Sequence, residues 1–89
     1  MTKLSKFKDV IMDHFGEDRV EFHELDPPQV KSSRIVVAIG GWRTPGGRMS
    51  TRRACVKVLL LPINRAPART AKDAIMVLEA IAEEKGLKC

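Results

Sequence analysis

The sequence predicts an α+β fold in which a three-stranded antiparallel sheet carries an N-terminal and a C-terminal helix on one face. Three observations lead to this prediction: helical periodicity at both ends of the chain, three strand-like segments between them, and links suited to a meander. The chain has 89 residues, of which 44% are hydrophobic. That length suits one domain with a small core. We therefore expect a single domain over residues 1–89, with the element order α-β-β-β-α.

The terminal helices are predicted from apolar stripes with the period of an α-helix. Residues 3–15 form the first helix, and Gly16 follows as a typical terminating residue. The last helix is predicted to begin at a capping box formed by Thr70 and Asp73, and to end near Lys85. The first stripe consists of Leu4, Phe7, Val10, Ile11 and Phe15. The second consists of Ala71, Ala74, Ile75, Leu78, Ile81 and Ala82.

Three strands are predicted between the helices. Residues 19–25 alternate between apolar and polar side chains, and Pro27 and Pro28 follow, which cannot donate to a sheet ladder. Residues 34–39 form the second strand, and residues 52–61 the third. The core-facing residues of the second strand are Ile35, Val37 and Ile39.

A long loop joins the second and third predicted strands. It contains two glycine pairs, and Pro45-Gly46 at its centre favours a type II turn. The simplest interpretation is a long hairpin with an arginine-rich tip. Residues 62–67, which begin and end with proline, are expected to be an irregular connector.

The positive charge lies in the middle of the chain. Residues 31–72 contain ten lysines and arginines and no acidic residue. Residues 1–30 hold seven acids against four bases, and residues 73–89 hold four acids against two bases. The formal net charge of +5 therefore understates a local positive field that would attract a polyanion or an acidic protein surface.

Two basic groups are the candidate binding residues. The first flanks Trp42 in the hairpin, where arginines suit phosphates and an exposed indole would stack on a base. In the alternative interpretation, Trp42 folds back onto the sheet. The second group lies at the start of the last helix, which favours anions. The candidate residues are Trp42, Arg43, Arg48, Arg52, Arg53, Lys57, Arg65, Arg69 and Lys72.

These features predict a small basic protein that binds nucleic-acid phosphates through the hairpin and the last helix. The alternative is a protein-interaction module of a phage or mobile element that binds an acidic partner through the same surface. Such a module would inhibit a host nucleic-acid-handling complex, as anti-CRISPR proteins do, or serve in virion assembly. The sequence does not discriminate DNA from RNA, or either from a protein partner.

The segment Arg69-Thr70-Ala71-Lys72-Asp73-Ala74 resembles the opening of the last helix in the double-stranded RNA-binding domain family. The element order α-β-β-β-α is also similar to that family. The resemblance implies that Arg69 and Lys72 contact phosphates. Asp26-Pro27-Pro28-Gln29 departs from the family's Gly-Pro-x-His loop motif, since it has neither the glycine nor the histidine.

The second face of the predicted sheet is more apolar than a solvated face requires. Leu25, Val36, Leu59 and Leu61 are expected there beside charged residues. A homodimer through Val36, Leu59 and Leu61 is therefore a further hypothesis.

Other classes find no support in the sequence. His14 and His23 lack the neighbouring cysteines or carboxylates of a metal site, and no nucleophile or phosphate-loop motif is present, so we expect neither an enzyme nor a cofactor. Two cysteines, 55 and 89, do not make a disulfide framework. The start of the sequence lacks the apolar core of a secretory signal, and no apolar run is long enough to span a membrane. The prediction is a cytoplasmic protein.

Overall fold

The chain forms a three-stranded antiparallel sheet with two long helices packed against it, as predicted. The computed structural model describes residues 3–25 and 33–87. The sheet order is β1-β2-β3, a meander. The predicted α+β class and the order α-β-β-β-α are confirmed, and one short helix, α2, is added between β3 and the last helix. The elements are α1 (Lys3–Phe15), β1 (Val20–Glu24), β2 (Arg34–Ile39), β3 (Ala54–Leu59), α2 (Leu60–Arg65) and α3 (Pro67–Glu84).

Helix α1 buries the stripe that its sequence predicts. Phe7, Ile11 and Phe15 are buried, while Leu4 and Val10 are partly buried against the same core. Gly16 ends the helix: its φ of 103° is reached easily by glycine, and its N–H donates to the Met12 carbonyl at 2.8 Å. A single 3₁₀ turn, Glu17–Arg19, then leads into β1.

The sheet buries the alternating residues that face the helices. Ile35, Val37 and Ile39 of β2 are each at most 2% exposed. They lie opposite Val58, Val56 and Ala54 of β3 in the antiparallel register. Val20 and Phe22 of β1 pack against the same core. The core-facing residues of the second strand were therefore predicted correctly. The segment Asp26-Pro27-Pro28-Gln29, which follows the first predicted strand, lies outside the described residues.

Helix α2 corrects two predictions. The third strand runs from Ala54 to Leu59, where residues 52–61 were predicted. Helix α2 therefore replaces the last two residues of the predicted strand and residues 62–65 of the expected connector. Pro62 is tolerated because it lies in the first helical turn, where backbone N–H groups have no intrahelical acceptor. Leu60 and Ile63 are buried, so α2 adds a short apolar segment to the core.

Helix α3 begins earlier than predicted. Pro67 occupies the first turn and Ala66 the N-cap position, so the expected capping box at Thr70 and Asp73 is wrong. The Thr70 hydroxyl instead donates to the Pro62 carbonyl at 2.9 Å and ties α3 to α2.

The end of α3 matches the prediction. Gly86 has a φ of 74°, and its N–H donates to the Glu83 carbonyl at 3.0 Å. The Leu87 N–H donates to the Ala82 carbonyl at 2.8 Å, which completes a Schellman motif, and the Leu87 side chain is buried. No helix in the described ranges is long and apolar enough to cross a lipid bilayer.

Candidate functional site

The loop between β2 and β3, residues 40–53, is an ordered hairpin extension. Arg43 and Met49 form an antiparallel bridge, and the Thr44 N–H donates to the Arg48 carbonyl at 2.8 Å. The Gly47 N–H donates to the Thr44 carbonyl at 2.9 Å, and Gly47 has a φ of 84°. A type II turn would need the positive φ at Gly46, so that prediction is wrong. The pattern is typical of a three-residue loop with a left-handed glycine in its last position.

Trp42 is buried, which overturns its assignment as a binding residue. Its side chain is 1% exposed, and its Nε1–H donates to the Ile39 carbonyl at 2.6 Å. Its ring meets the Phe15 ring edge-on, with the centroids 5.8 Å apart. An indole in this position joins the hairpin to α1 and is not available to stack on a base. The alternative interpretation, in which Trp42 folds back, is the one observed.

Arg19 braces the same hairpin, although no sequence pattern identifies it as a residue of the site. Its Nε donates to the Gly40 carbonyl at 2.9 Å, and the Gly40 N–H donates to the Arg19 carbonyl at 2.9 Å. Its guanidinium carbon lies 4.9 Å from the centroid of the Trp42 ring and 5.9 Å from that of Phe15. Arg19 therefore holds the base of the hairpin by hydrogen bonds and cation–π contacts. No local pattern links residues so far apart in sequence.

Two glycines of this hairpin are required for different reasons: Gly47 only by its backbone conformation, and Gly41 also by the lack of space for a side chain. Both have a positive φ, but a Cβ on Gly41 would lie 3.0 Å from Arg19 Nε, whereas a Cβ on Gly47 would meet nothing within 4 Å. Gly47→Ala should therefore cost only the left-handed backbone penalty, about 1–2 kcal/mol. Gly41→Ala should cost roughly 1–3 kcal/mol more, because Arg19 must move away from Trp42. Urea unfolding of the two variants measures this difference, and equal losses would contradict the bracing role of Arg19.

Around this braced base lie the four predicted arginines of the hairpin, here called the hairpin group. All four side chains are exposed. Arg53 Nη1 pairs with Glu21 Oε2 on β1, and the Arg53 carbonyl accepts from Lys85 Nζ at 3.0 Å. A cleft of about 510 Å³ is lined by Arg52 and Arg53 of the hairpin, by Asp18 of the 3₁₀ turn and by Glu21 of β1, among other residues. The hairpin group consists of Arg43, Arg48, Arg52 and Arg53.

Exposed cations also surround the turn from β3 through α2 into α3, and we call them the turn group. Arg34 and Lys57 line a hollow of about 210 Å³ beside Leu59. Arg65 is the last residue of α2, and Arg69 lies in the first turn of α3. All of these side chains are exposed. The turn group consists of Arg34, Lys57, Arg65, Arg69 and Lys72.

All nine cations of the two groups are exposed, and eight of them form no ion pair with a carboxylate of the described residues. Among the residues that the structure describes, Arg53 is the member of these groups that forms an ion pair with a carboxylate. Elsewhere in the described ranges, Lys8 lies 3.5 Å from Glu24 and Arg19 is partly buried, whereas Lys3 and Lys6 of α1 are exposed and form no ion pair. Cations that neither pair nor pack remain available to an anionic partner.

The second sheet face is open, but it is less apolar than predicted. Leu61 belongs to α2, so its assignment to this face is wrong. Val36 is half-buried, Leu59 is 47% exposed, and Leu25 is 52% exposed. The homodimer hypothesis keeps Val36 and Leu59 as its contact residues and loses Leu61.

The histidines lie in ordinary surface pairs. His14 Nε2 is 2.7 Å from Glu79 Oε1, which links α1 to α3. His23 Nε2 is 3.4 Å from Glu21 Oε2. Within residues 3–25 and 33–87, no three histidine, cysteine or acidic side chains are grouped as metal ligands would be.

Comparison of the chain with models of protein families, with curated proteins and with solved structures finds no match in any of the three. The architecture itself agrees with the predicted element order. Any functional statement must therefore rest on the residues of this chain.

Proposed function

We propose that this protein binds nucleic acid through phosphate contacts made by the hairpin group and the turn group. One observation carries the proposal: in the acid-free segment, the nine cations that the structure describes are exposed and, with the exception of Arg53, form no ion pair with a described carboxylate. Ordinary surfaces intersperse the two signs of charge, whereas phosphate-binding surfaces concentrate unpaired arginines and lysines.

The resemblance of the start of α3 to the double-stranded RNA-binding domain is compatible with this proposal. Arg69 and Lys72, the residues implied to contact phosphates, lie exposed in the first two turns of α3. The additional helix α2 and the start of α3 at Pro67 depart from the simple α-β-β-β-α pattern. The phosphate contact is therefore proposed from the side chains themselves, and both DNA and RNA remain candidate ligands.

The test is fluorescence anisotropy with labelled duplex RNA, duplex DNA and single-stranded DNA at increasing salt. The informative variant replaces Arg48, Arg52, Arg69 and Lys72 by glutamine. Each lost phosphate contact reduces the magnitude of the slope of log K against log salt by about 0.9 on B-DNA, so four lost contacts should reduce it by up to about 3.6. Because these side chains are exposed, the variant should unfold at the same urea concentration as the wild-type protein.

The matched control is Lys3→Glu together with Lys6→Glu. Both side chains are exposed on α1, outside the two groups. The control has the same formal net charge as the glutamine variant, four units below the +5 of the wild-type chain. Wild-type-like binding by the glutamine variant would refute the proposed surface. Absence of wild-type binding at low salt would refute the function and leave an acidic protein partner as the alternative.

A further inference from the structure

The open face of the sheet connects the two basic groups. Because the alternating valines of β3 pack against the core, Cys55, Lys57 and Leu59 lie on the open face, and all three side chains are exposed. In the register of the sheet, Lys57 lies opposite Val36, and Leu59 lies opposite Arg34. An exposed lysine therefore occupies the middle of this face, between the hairpin before β3 and the turn into α2 after it.

Two arginines extend this row of cations on either side of Lys57. Arg53 precedes β3, and its Nη1 pairs with Glu21 Oε2 of β1. Glu21 lies on the open face because both of its neighbours in β1 pack against the core, so the Arg53 side chain lies on that face as well. Arg34 and Lys57 line one hollow of about 210 Å³. The rise of a strand is about 3.3 Å per residue, so the row from Arg53 through Lys57 to Arg34 covers about 20 Å.

Acidic side chains are concentrated away from this row. On the open face, within the described ranges, the acidic residue is Glu21, which belongs to β1, the strand farthest from β3, and pairs with Arg53. On the helical side, residues 73–84 of α3 include four acidic residues and no basic one, and all four are exposed. A polyanion is therefore attracted to the sheet side and repelled from α3. The acidic residues of α3 are Asp73, Glu79, Glu83 and Glu84.

The open face offers cations but no aromatic ring for stacking. All four phenylalanine and tryptophan rings of the chain lie in the described ranges, and they are buried in the core or pack against it. Proteins usually hold unpaired bases by stacking them on such rings, whereas cations hold the phosphate backbone whatever the base sequence. We therefore expect the contacts on this face to be made with phosphates.

We infer that the nucleic acid lies across the open face of the sheet, along β3, with its phosphates on Arg53, Lys57 and Arg34. The inference rests on the proposed function and deepens it, because it selects one face of the domain and joins the two basic groups into one binding surface. The hairpin group contacts the nucleic acid at one end of the row. The turn group continues from the other end, where Leu59 leads into α2. The acidic side of α3 remains in solvent.

The test uses the thiol of Cys55 as a reporter, because this exposed side chain lies on the open face. Cys89→Ser makes it the only thiol of the chain. Its rate of reaction with N-ethylmaleimide, an uncharged reagent, is measured without nucleic acid and at saturation. Anisotropy reports saturation in separate arms with duplex RNA, duplex DNA and single-stranded DNA. In each arm that binds, the reaction of Cys55 should slow severalfold.

The matched control moves the thiol to the acidic side of α3. It carries Ala80→Cys together with Cys55→Ser and Cys89→Ser, and Ala80 is exposed. Because nucleic acid on the sheet face leaves this side in solvent, saturation should not change the reaction rate of the Ala80→Cys thiol.

A pair of double variants tests the cations of the row. Arg34→Gln/Lys57→Gln should reduce the magnitude of the slope of log K against log salt by up to about 1.8 on B-DNA, at about 0.9 per contact. Lys3→Gln/Lys6→Gln has the same net charge and removes exposed lysines of α1, so its slope should equal that of the wild-type protein.

Four results would overturn this inference while leaving the proposed function standing. Saturated binding with Cys55 reacting at its free rate would place the ligand elsewhere. Equal protection of Cys55 and of the Ala80→Cys thiol would show that the ligand covers both sides. A wild-type slope for Arg34→Gln/Lys57→Gln would remove both cations as contacts. Protection of Cys55 that increases with protein concentration, without nucleic acid, would show that a second copy covers the face. Absence of any anisotropy change would refute the proposed function itself, and this inference with it.

Discussion

Replacement of Trp42 by alanine is expected to lower the free energy of unfolding by about 3–5 kcal/mol. The side chain is 1% exposed, and it contacts Phe15 of α1 and the guanidinium of Arg19. Alanine would leave a cavity at the point where the hairpin joins the core. Small domains have a total stability of roughly 5–15 kcal/mol, so the loss would be a large fraction of it.

Urea unfolding followed by circular dichroism measures the effect, since the variant lacks tryptophan fluorescence. Trp42→Phe is the control: it keeps an aromatic ring but loses the hydrogen bond to the Ile39 carbonyl, and it should be intermediate in stability. The arginines of the hairpin group lie outside this contact. An alanine variant within about 1 kcal/mol of the wild-type protein would contradict burial of the indole, because surface substitutions have effects of that size or less.

The second large effect is expected for Ile63→Ala, at about 2–5 kcal/mol. Ile63 is a residue of α2, and its side chain is fully buried in the core. The sequence predicted only a connector for this segment. If α2 forms as described, truncation of this side chain leaves a cavity between α2 and the rest of the core. The same unfolding measurement, followed by Trp42 emission, reports the loss.

Leu61→Ala is the matched control within the same helix. Leu61 is 40% exposed, and the change to alanine is equally compatible with a helix. Its cost should be within about 1 kcal/mol. A larger loss at Leu61 than at Ile63 would reverse the assigned faces of α2 and contradict its position.

The long elements were predictable because periodicity and terminating residues agreed. Helix α1 and Gly16 show this agreement, as do β2 and the end of α3 before Gly86. In each case the burial of an apolar stripe and the local backbone preference favour the same structure. Tertiary packing therefore did not change the local structure that the sequence predicts.

Helix α2 was missed because a short apolar run does not discriminate between strand and helix. Leu59-Leu60-Leu61 continues the strand pattern, and Pro62 suggested a stop. The proline is compatible with a helix when it lies in the first turn, and nothing local showed that the turn began at Leu60. Similarly, Pro67 and not Thr70 marks the start of α3.

The charged residues of the candidate site could be predicted from the sequence, but the contacts that hold the hairpin in place could not. Exposure of Arg43 and Arg48 follows from their place in a polar, glycine-rich loop. The burial of Trp42 depends on Phe15 and Arg19, which come from another part of the chain. Sequence patterns report local spacing, and these contacts are set by the tertiary fold.

The bracing of residues 40–53 bears on how fast and how tightly the hairpin can engage a partner. Ordering a flexible backbone costs about 1–2 kcal/mol per residue in conformational entropy. Here the turn is closed between Thr44 and Arg48, and its base is held by Arg19 and Trp42 before any partner arrives. If the hairpin binds nucleic acid as proposed, association would need no folding step of the loop, and more of the contact energy would remain as affinity.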